Sequence, residues 1–418
     1  MIILLVVGFL IIGVPISFAI LSSTILTLII QNGQLEIVIQ RLYGFNDSFS
    51  MLAIPFFFIA GELMLQGGIS RRIVNFATAF FGWMKGSLAI ISVVSSAFFG
   101  AISGSSFATT AAIGGIMYPE MTKDGYDKGY SAAIQGVAGT LGVLIPPSIP
   151  AVVYAVLVGV SAGDMFLYII PVGVLATIAY SITAVLLLKM NPDNYKKHEN
   201  RQKLNAREMW SSFKEAIWAL LTPVIILGGI YGGIFTPTES AIVATAYSLI
   251  IGFFVYKELN FRKCFKAILV AALGSGAVMF IIDSSAPFGW VLAVNRIPYL
   301  VTQFVSGFIG SPWTLLFLVN VLFLIAGMFM ETNAILNIMI PIILPLVKVF
   351  DINLLHFGVI SVFNLTIGTI TPPFGGGAFV ASGITGVPVA TVFKKSMPYL
   401  VTAILILAII TFVPLLWL

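Results

Sequence analysis

Two phrases of the chain read alike. Thr140-Leu-Gly-Val-Leu-Ile-Pro-Pro147 and Thr366-Ile-Gly-Thr-Ile-Thr-Pro-Pro373 share Thr-x-Gly-x-x-x-Pro-Pro at a spacing of 226 residues. The same shift sets Pro119 on Pro345, Gly142 on Gly368 and Ser106 opposite Thr332. Each Pro-Pro pair removes two backbone donors and leaves upstream carbonyls without their helical partners. The first phrase parts the apolar runs Ala132–Ile145 and Ala151–Val160; the second ends the run Phe357–Ile370 ahead of Gly375-Gly-Gly377. A further interruption precedes each. Ser103-Gly-Ser-Ser106 divides Leu88–Ile102 from Phe107–Met117, and Glu331-Thr-Asn333 stands before Ile335–Val347. The pattern predicts a duplicated unit of hairpin plus broken helix.

Composition identifies the solvent around these breaks. Of 418 residues, 59% are hydrophobic and 9% charged, against about 25% charged in ordinary globular domains. The mean hydropathy is +1.07. So few charges cannot cover a soluble protein of this size, so most of the surface faces lipid. The chain reads as an all-α polytopic membrane protein built on an inverted repeat.

Several function classes fall away. A single cysteine, Cys264, excludes a disulfide within the chain. His198 and His356 are the only histidines, too few for a His-rich metal site or a Ser/His/Asp triad. No GxxxxGK[ST] run is present, so nucleotide hydrolysis by the P-loop route is excluded. The net charge of +5 suggests nucleic acid at first sight. In a membrane protein, basic residues near span ends mark cytoplasmic loops instead, and no nucleic-acid partner is expected.

Ile2–Ile30 reads as one span, since about 20 apolar residues cross the hydrocarbon. Met1–Leu35 has no charge and is too long, without a basic start, for a cleavable signal peptide. Further apolar runs are Met51–Gly67, Phe166–Leu188, Ala216–Ile234, Ala241–Tyr256, Ala267–Ile282, Trp313–Met328 and Tyr399–Trp417. The polar segment Lys189–Lys214 carries seven basic residues, among them Lys196, Lys197, Arg201 and Lys203, and is expected in the cytoplasm. Lys394 and Lys395, just before the last run, put Leu418 on the periplasmic side. Met209, Trp210 and Phe213 form either an interfacial helix or part of a solvated linker.

Polar groups at membrane depth are costly and therefore candidates for function. The hydroxyls and freed carbonyls around Ser103, Ser105 and Ser106 are hard oxygen donors, suited to a small cation. No histidine lies near in sequence to activate a serine as nucleophile. The alternative is helix packing through Gly100-x-x-x-Gly104. The carbonyls ahead of Pro146 and near Thr371 meet either a cation or water. Glu62 and Asp283 either touch a ligand or pair and cap locally. Gly228-Gly-Ile-Tyr-Gly-Gly233 reads as close helix packing.

Six runs carry a resemblance: Phe98-Phe-Gly-Ala-Ile-Ser-Gly-Ser-Ser106, Leu144-Ile-Pro-Pro-Ser-Ile-Pro150, Gly232-Gly-Ile-Phe-Thr-Pro-Thr-Glu239, Ala326-Gly-Met-Phe-Met-Glu331, His356-Phe-Gly-Val359 and Ala381-Ser-Gly-Ile384. Together they resemble the large membrane subunit of tripartite ATP-independent periplasmic (TRAP) transporters, over nearly the whole chain from about Ser50. Two departures stand out. The family often has Asp where Glu331 stands, and its second Pro-Pro motif usually continues with Val-Gly and a polar residue instead of Phe374-Gly-Gly-Gly377.

The resemblance implies an elevator-type, sodium-driven carrier of an organic acid, such as a C4-dicarboxylate, sialic acid or another sugar acid. It sits as a multi-pass protein in a bacterial inner membrane. The implied partners are a small membrane subunit and a periplasmic binding protein that delivers substrate. On this reading residues 1–87 are scaffold helices, 88–165 the first transport unit, and 166–312 central scaffold with the loop 189–214. Residues 313–395 are the second unit and 396–418 the last helix.

Two oxygen-lined sodium sites follow from the duplication. The first draws on Ser103, Ser106, Thr140, Gly142 and carbonyls before Pro146. The second draws on Thr332, Asn333, Thr366, Gly368, Thr371 and Gly375. Neutral oxygens suit a monovalent ion that must also be released. A carboxylate far from arginine prefers hydroxyls, N–H groups and helix N-termini, so Ser103, Ser148 and Thr371 are expected substrate contacts. Glu331 is expected to meet a substrate hydroxyl or an ion. The competing classes are a related carrier without a binding protein, a passive channel and a membrane enzyme. A channel wants rings of like charge or filter carbonyls, and neither is visible. An enzyme wants paired acids, a metal motif or an activated nucleophile, and these too are missing; no organic cofactor is expected.

Overall fold

The computed structural model describes residues 1–46, 49–84, 86–195, 205–297, 299–300, 303 and 310–414. Lys196, Lys197, His198, Arg201, Lys203 and Leu418 lie outside the described residues. Within them the chain forms eighteen α-helices and no β-strand. Six are long and apolar enough to cross a membrane, with a bent pair making a seventh span.

The expected single span Ile2–Ile30 is two helices, α1 (Ile2–Ile11) and α2 (Ile16–Ile30). Gly13 takes a positive φ of 85° and Pro15 stands at the head of α2. Proline disfavours helical geometry at the residue before it, so the run breaks here despite its uniform apolarity. After α3 (Glu36–Asn46) come α4 (Ala53–Gln66) and α5 (Ile69–Phe81), which meet at a 69° bend. Gly68 turns the corner at φ 76°. Arg72 fixes it, donating to the Gly68 carbonyl at 2.9 Å and to Glu258 at 2.6 Å while lying 3.8 Å from the centre of the Tyr256 ring.

The first unit follows: α6 (Ser87–Ser103) and α7 (Ser106–Lys123) form the hairpin. Then α8 (Lys128–Gly139) runs through a 3₁₀ turn at Thr140–Val143, and α9 (Ile149–Val158) resumes beyond the prolines. Next, α10 (Ala162–Met190) is a long span. Of the two expectations for Met209, Trp210 and Phe213, the linker is set aside: they are helical, in the opening turns of α11 (Ala206–Tyr231), continuous with the span. An Asn205 cap, whose side chain accepts from the Arg207 N–H, starts that helix early. The glycines of the Gly228–Gly233 run end α11 and hold no close helix–helix approach, although Ile230 among them meets Gly163 of α10. A Cβ on Gly229 would strike the Phe235 ring, Gly233 has φ 66°, and nothing packs on Gly228.

Beyond α12 (Pro237–Ile250), which a capping box at Thr236 and Glu239 opens, comes α13 (Phe261–Val294). It is 34 residues long and passes straight through Asp283 and Pro287, well past the expected end at Ile282. The second unit repeats the first: hairpin α14 (Pro312–Gly327) and α15 (Thr332–Val349), then α16 (Leu354–Gly368) and α17 (Gly376–Thr385). Last comes α18 (Val389–Phe412).

The two units are inverted. At one end of the bundle Lys395 pairs with Asp127 and Asn194, close to where α7 ends. At the other, His356 lies 2.7 Å from the Ile410 carbonyl, and Tyr154 donates to the Leu354 carbonyl at 2.6 Å, close to where α15 ends. The hairpins therefore open toward opposite ends. The Tyr154 ring of α9 fills the notch left by Gly358 of α16. Inside, the first unit is bound to α10 through Tyr130 to Ala184 (3.0 Å) and to α18 through Tyr399 to Tyr130 (3.4 Å), and Thr183 to Thr402 (2.9 Å) ties α10 to α18.

Candidate functional site

Each hairpin tip rests against its own helix break. In the first unit α6 ends at Gly104, with φ 61°, and Ser105 caps α7 by accepting from the Ala108 N–H at 3.4 Å. The Gly104 carbonyl accepts from the Ile149 N–H at 3.3 Å, across the break. Behind the tip, Gly100 packs on Gly142, where a Cβ would lie 2.8 Å from the Gly142 Cα. The small-residue pattern is therefore a packing contact, and it brings tip and break together.

The second unit solves the same problem with a charge. Glu331 caps α15, its carboxylate accepting from the Asn333 and Ala334 N–H groups at 2.9 and 3.3 Å and from Asn333 Nδ2 at 2.8 Å. A helix N-terminus favours a negative group at this position. The Met328 carbonyl accepts from the Phe374 N–H at 3.2 Å, across the second break. Gly327 packs on Gly368 as Gly100 packs on Gly142. Both Pro-Pro bonds, 146–147 and 372–373, are cis.

The tips converge on one cavity of about 410 Å³. Ser105, Ser106, Glu331, Thr332, Asn333 and Thr366 line it from the two units. Ser106 Oγ and Asn333 Oδ1 are buried and have no hydrogen-bond partner among the described residues. Such atoms are costly unless something binds them. The opposite wall comes from α4 and α13, with Phe58, Glu62, Gly274 and Ile281. Among the described residues this lining holds two carboxylates and no Lys or Arg.

Other expected residues stand apart from the cavity. Ser103 is buried at the end of α6, its Oγ 2.9 Å from Thr109 Oγ1. The Thr140 hydroxyl donates to the Val137 carbonyl at 2.6 Å, on the side of α8 facing Tyr180. Ser148 is fully buried and caps α9, accepting from the Ala151 N–H at 3.3 Å. Thr371 donates to the Ile367 carbonyl at 2.8 Å, and the Thr371 carbonyl accepts from the Gly375 N–H at 3.1 Å. Gly142 and Gly368 are the close-packing points already described, and Asp283 does not line the cavity.

Two features escaped the sequence. One is the α13 wall, which has no polar marker. The other is a buried chain: Asn364 Nδ2 donates to Asn320 Oδ1 at 2.6 Å, and Asn320 Nδ2 to Thr411 Oγ1 at 3.0 Å. Asparagines inside the apolar runs Trp313–Met328 and Phe357–Ile370 were its signal.

The family model described as the tripartite ATP-independent periplasmic transporter, DctM component, matches residues 2–416. The chain belongs to the DctM family. Among relatives of this DctM-family chain, the C4-dicarboxylate TRAP transporter large permease protein DctM of Pseudomonas aeruginosa is 38% identical, over 94% of this chain and 91% of that one. The sialic acid TRAP transporter large permease protein SiaM of Vibrio cholerae is 32% identical, over 97% and 94% respectively. The solved structure of the Alcanivorax borkumensis YdaH transporter is similar in fold, with TM-score 0.66 over 90% of this chain and 86% of that one at 15% identity. This DctM-family chain is thus a multi-pass transport permease, not an enzyme.

Proposed function

We propose that the chain carries an organic acid inward across a bacterial inner membrane, driven by sodium, as the large permease subunit of a TRAP system. A small membrane subunit and a periplasmic binding protein complete the system. C4-dicarboxylates and sialic acid, named for two relatives, define the substrate class.

One observation carries the sodium coupling: the cavity holds Glu62 and Glu331 and no basic side chain among the described residues. An organic anion entering it meets like charge in a poorly screened setting, where one pair of unit charges is worth several kcal/mol at about 4 Å. It must arrive with compensating cations. Ser106 Oγ and Asn333 Oδ1, buried and unpartnered, supply one neutral oxygen at each tip. Thr332 and Thr366 add hydroxyl oxygens whose lone pairs remain able to ligate. Substrate and sodium then bind with a shared coupling energy, each tightening the other equally.

The moving body in this reading is residues 88–165 with 313–395, sliding against α4 and α13. Because α10 and α18 are hydrogen-bonded to the first unit and to each other, they travel with it, which takes α10 out of the scaffold expected over residues 166–312. The test is reconstitution in proteoliposomes with both partners. Uptake should saturate and require an inward sodium gradient; the chain alone should transport poorly. Uptake indifferent to sodium, or robust high-affinity uptake without the binding protein, overturns the proposal.

A further inference from the structure

A second cavity, of about 320 Å³, opens between α10 and α18 at the end of the bundle that carries Lys395. Leu187, Asn191 and Asn194 line it from α10 and the turn after it, and Lys394, Lys395 and Pro398 from α18. Lys395 is already committed: it donates to Asn194 Oδ1 at 2.9 Å and pairs with Asp127 at 3.1 Å. Asn194 is held in turn by its own donation to the Leu187 carbonyl at 3.1 Å. The polar wall is therefore satisfied by its own hydrogen bonds. Lys394 differs. It is exposed and pairs with no carboxylate among the described residues, leaving one uncompensated ammonium at the mouth beside the exposed Asn191.

The flank above the cavity is apolar. Ile182 and Leu186 on α10 are 54% and 48% exposed, and Val401 and Leu405 on α18 are 58% and 60%. Residues 394, 398, 401 and 405 recur at helical spacing, so they form one stripe of α18. From Lys394 to Leu405 the stripe runs roughly 16 Å at about 1.5 Å per residue, close to the roughly 15 Å hydrocarbon depth of one leaflet. A cationic pocket at the head of an apolar groove one leaflet long matches a lipid's headgroup and chains.

We propose that this cavity binds the phosphate of an anionic phospholipid, with its acyl chains along the α10–α18 groove. Lys128 and Lys189 lie on segments that end near the same Asp127–Asn194–Lys395 junction, whereas Lys123 is paired with Glu120 at 3.3 Å. A basic surface of this kind concentrates anionic over zwitterionic lipid, and basic pockets between spans recognise such headgroups. A free phosphate would meet the same ammonium and amide but would gain nothing from the groove.

The test uses the full chain purified in detergent, with bound lipid counted by native mass spectrometry during titration. The probes are phosphatidylglycerol, phosphatidylcholine and inorganic phosphate. Phosphatidylglycerol should bind about tenfold more tightly than phosphatidylcholine. Lys394→Gln should lose that preference, Lys394→Arg should keep it, and Lys123→Gln, whose ammonium lies outside the cavity lining and already pairs with Glu120, should match the unmodified chain. Val401→Asn should weaken phosphatidylglycerol through the groove alone. Equal binding of both lipids, or unchanged phosphatidylglycerol binding in Lys394→Gln, overturns the proposal. Displacement of phosphatidylglycerol by millimolar inorganic phosphate overturns it as well, since it would assign the pocket to a soluble anion.

Discussion

The two hairpin tips share a backbone device and differ in chemistry. At each, a glycine near the end of the first hairpin helix packs on a glycine in the broken helix, Gly100 on Gly142 and Gly327 on Gly368. At each, a backbone N–H from beyond the break reaches the tip. Yet the first tip is capped by a neutral hydroxyl, Ser105, and the second by a carboxylate, Glu331. The resumed helices differ too: Ser148 caps α9, while the side-chain-free Gly375 heads α17. Geometry is thus repeated where backbone must meet backbone, and residue chemistry is free to diverge where the cavity begins.

The largest effect should come from the shared device. A Cβ at Gly368 would sit 2.5 Å from the Gly327 backbone, and one at Gly142 would strike the Ser105 carbonyl. Backbone cannot yield as a side-chain tip does, so Gly368→Ala and Gly142→Ala should each cost about 3 kcal/mol, the upper range for overpacking. Gly276→Ala, with open space around it, should be neutral. Thermal denaturation in detergent would check this, and tolerance at only one of the pair would break the equivalence of the two breaks.

The tips themselves should separate on sodium. Glu331→Gln keeps the shape and removes the charge that a nearby cation would feel. Half-saturating sodium should rise about tenfold, equivalent to roughly 1.4 kcal/mol. Ser105→Ala removes no charge and should move it less than about twofold. Identical sodium activation curves for both variants would mean that the carboxylate is only a cap.

Threonines sharpen the same contrast. Thr366 lines the cavity, whereas Thr140 faces Tyr180. Thr366→Val should raise half-saturating sodium about threefold, in keeping with one lost ligand of roughly 0.7 kcal/mol. Thr140→Val should raise it less, and the double change should also lower the Hill slope. Unchanged curves and slopes would make both threonines packing residues. The smallest functional effect belongs to Ser148→Ala, which loses a cap worth about 1 kcal/mol. Its apparent substrate affinity should stay within about twofold, as measured by uptake kinetics; a larger change would restore Ser148 as a direct contact.

The breaks were legible in the sequence because proline and glycine act locally, and the 226-residue echo tied them into two units. What was not legible depends on contacts between distant segments. Glu62 stood out as a carboxylate in an apolar run, but nothing local says that α4 and α13 wall the cavity opposite residues some 270 positions onward. The bend between α4 and α5 was hidden in a different way. A reading by apolar runs stops at Gly67, whereas α5 alternates Arg71, Arg72 and Asn75 with Ile69, Ile73 and Val74 and so never forms a run. Thr140 was placed beside Thr366 by the repeat, yet the two hydroxyls face different neighbours because α10 covers only the first.

Tyr154 seated in the notch at Gly358 is a pin through both copies of the repeat. Duplication ordinarily gives a machine two independent parts, and this pin takes that independence away. A rotation that tilts one unit therefore presses on the other through this contact. On the proposed sodium-coupled reading, ions arriving at the two tips would load one body, and cooperativity would need no messenger between them. It would be a property of stiffness.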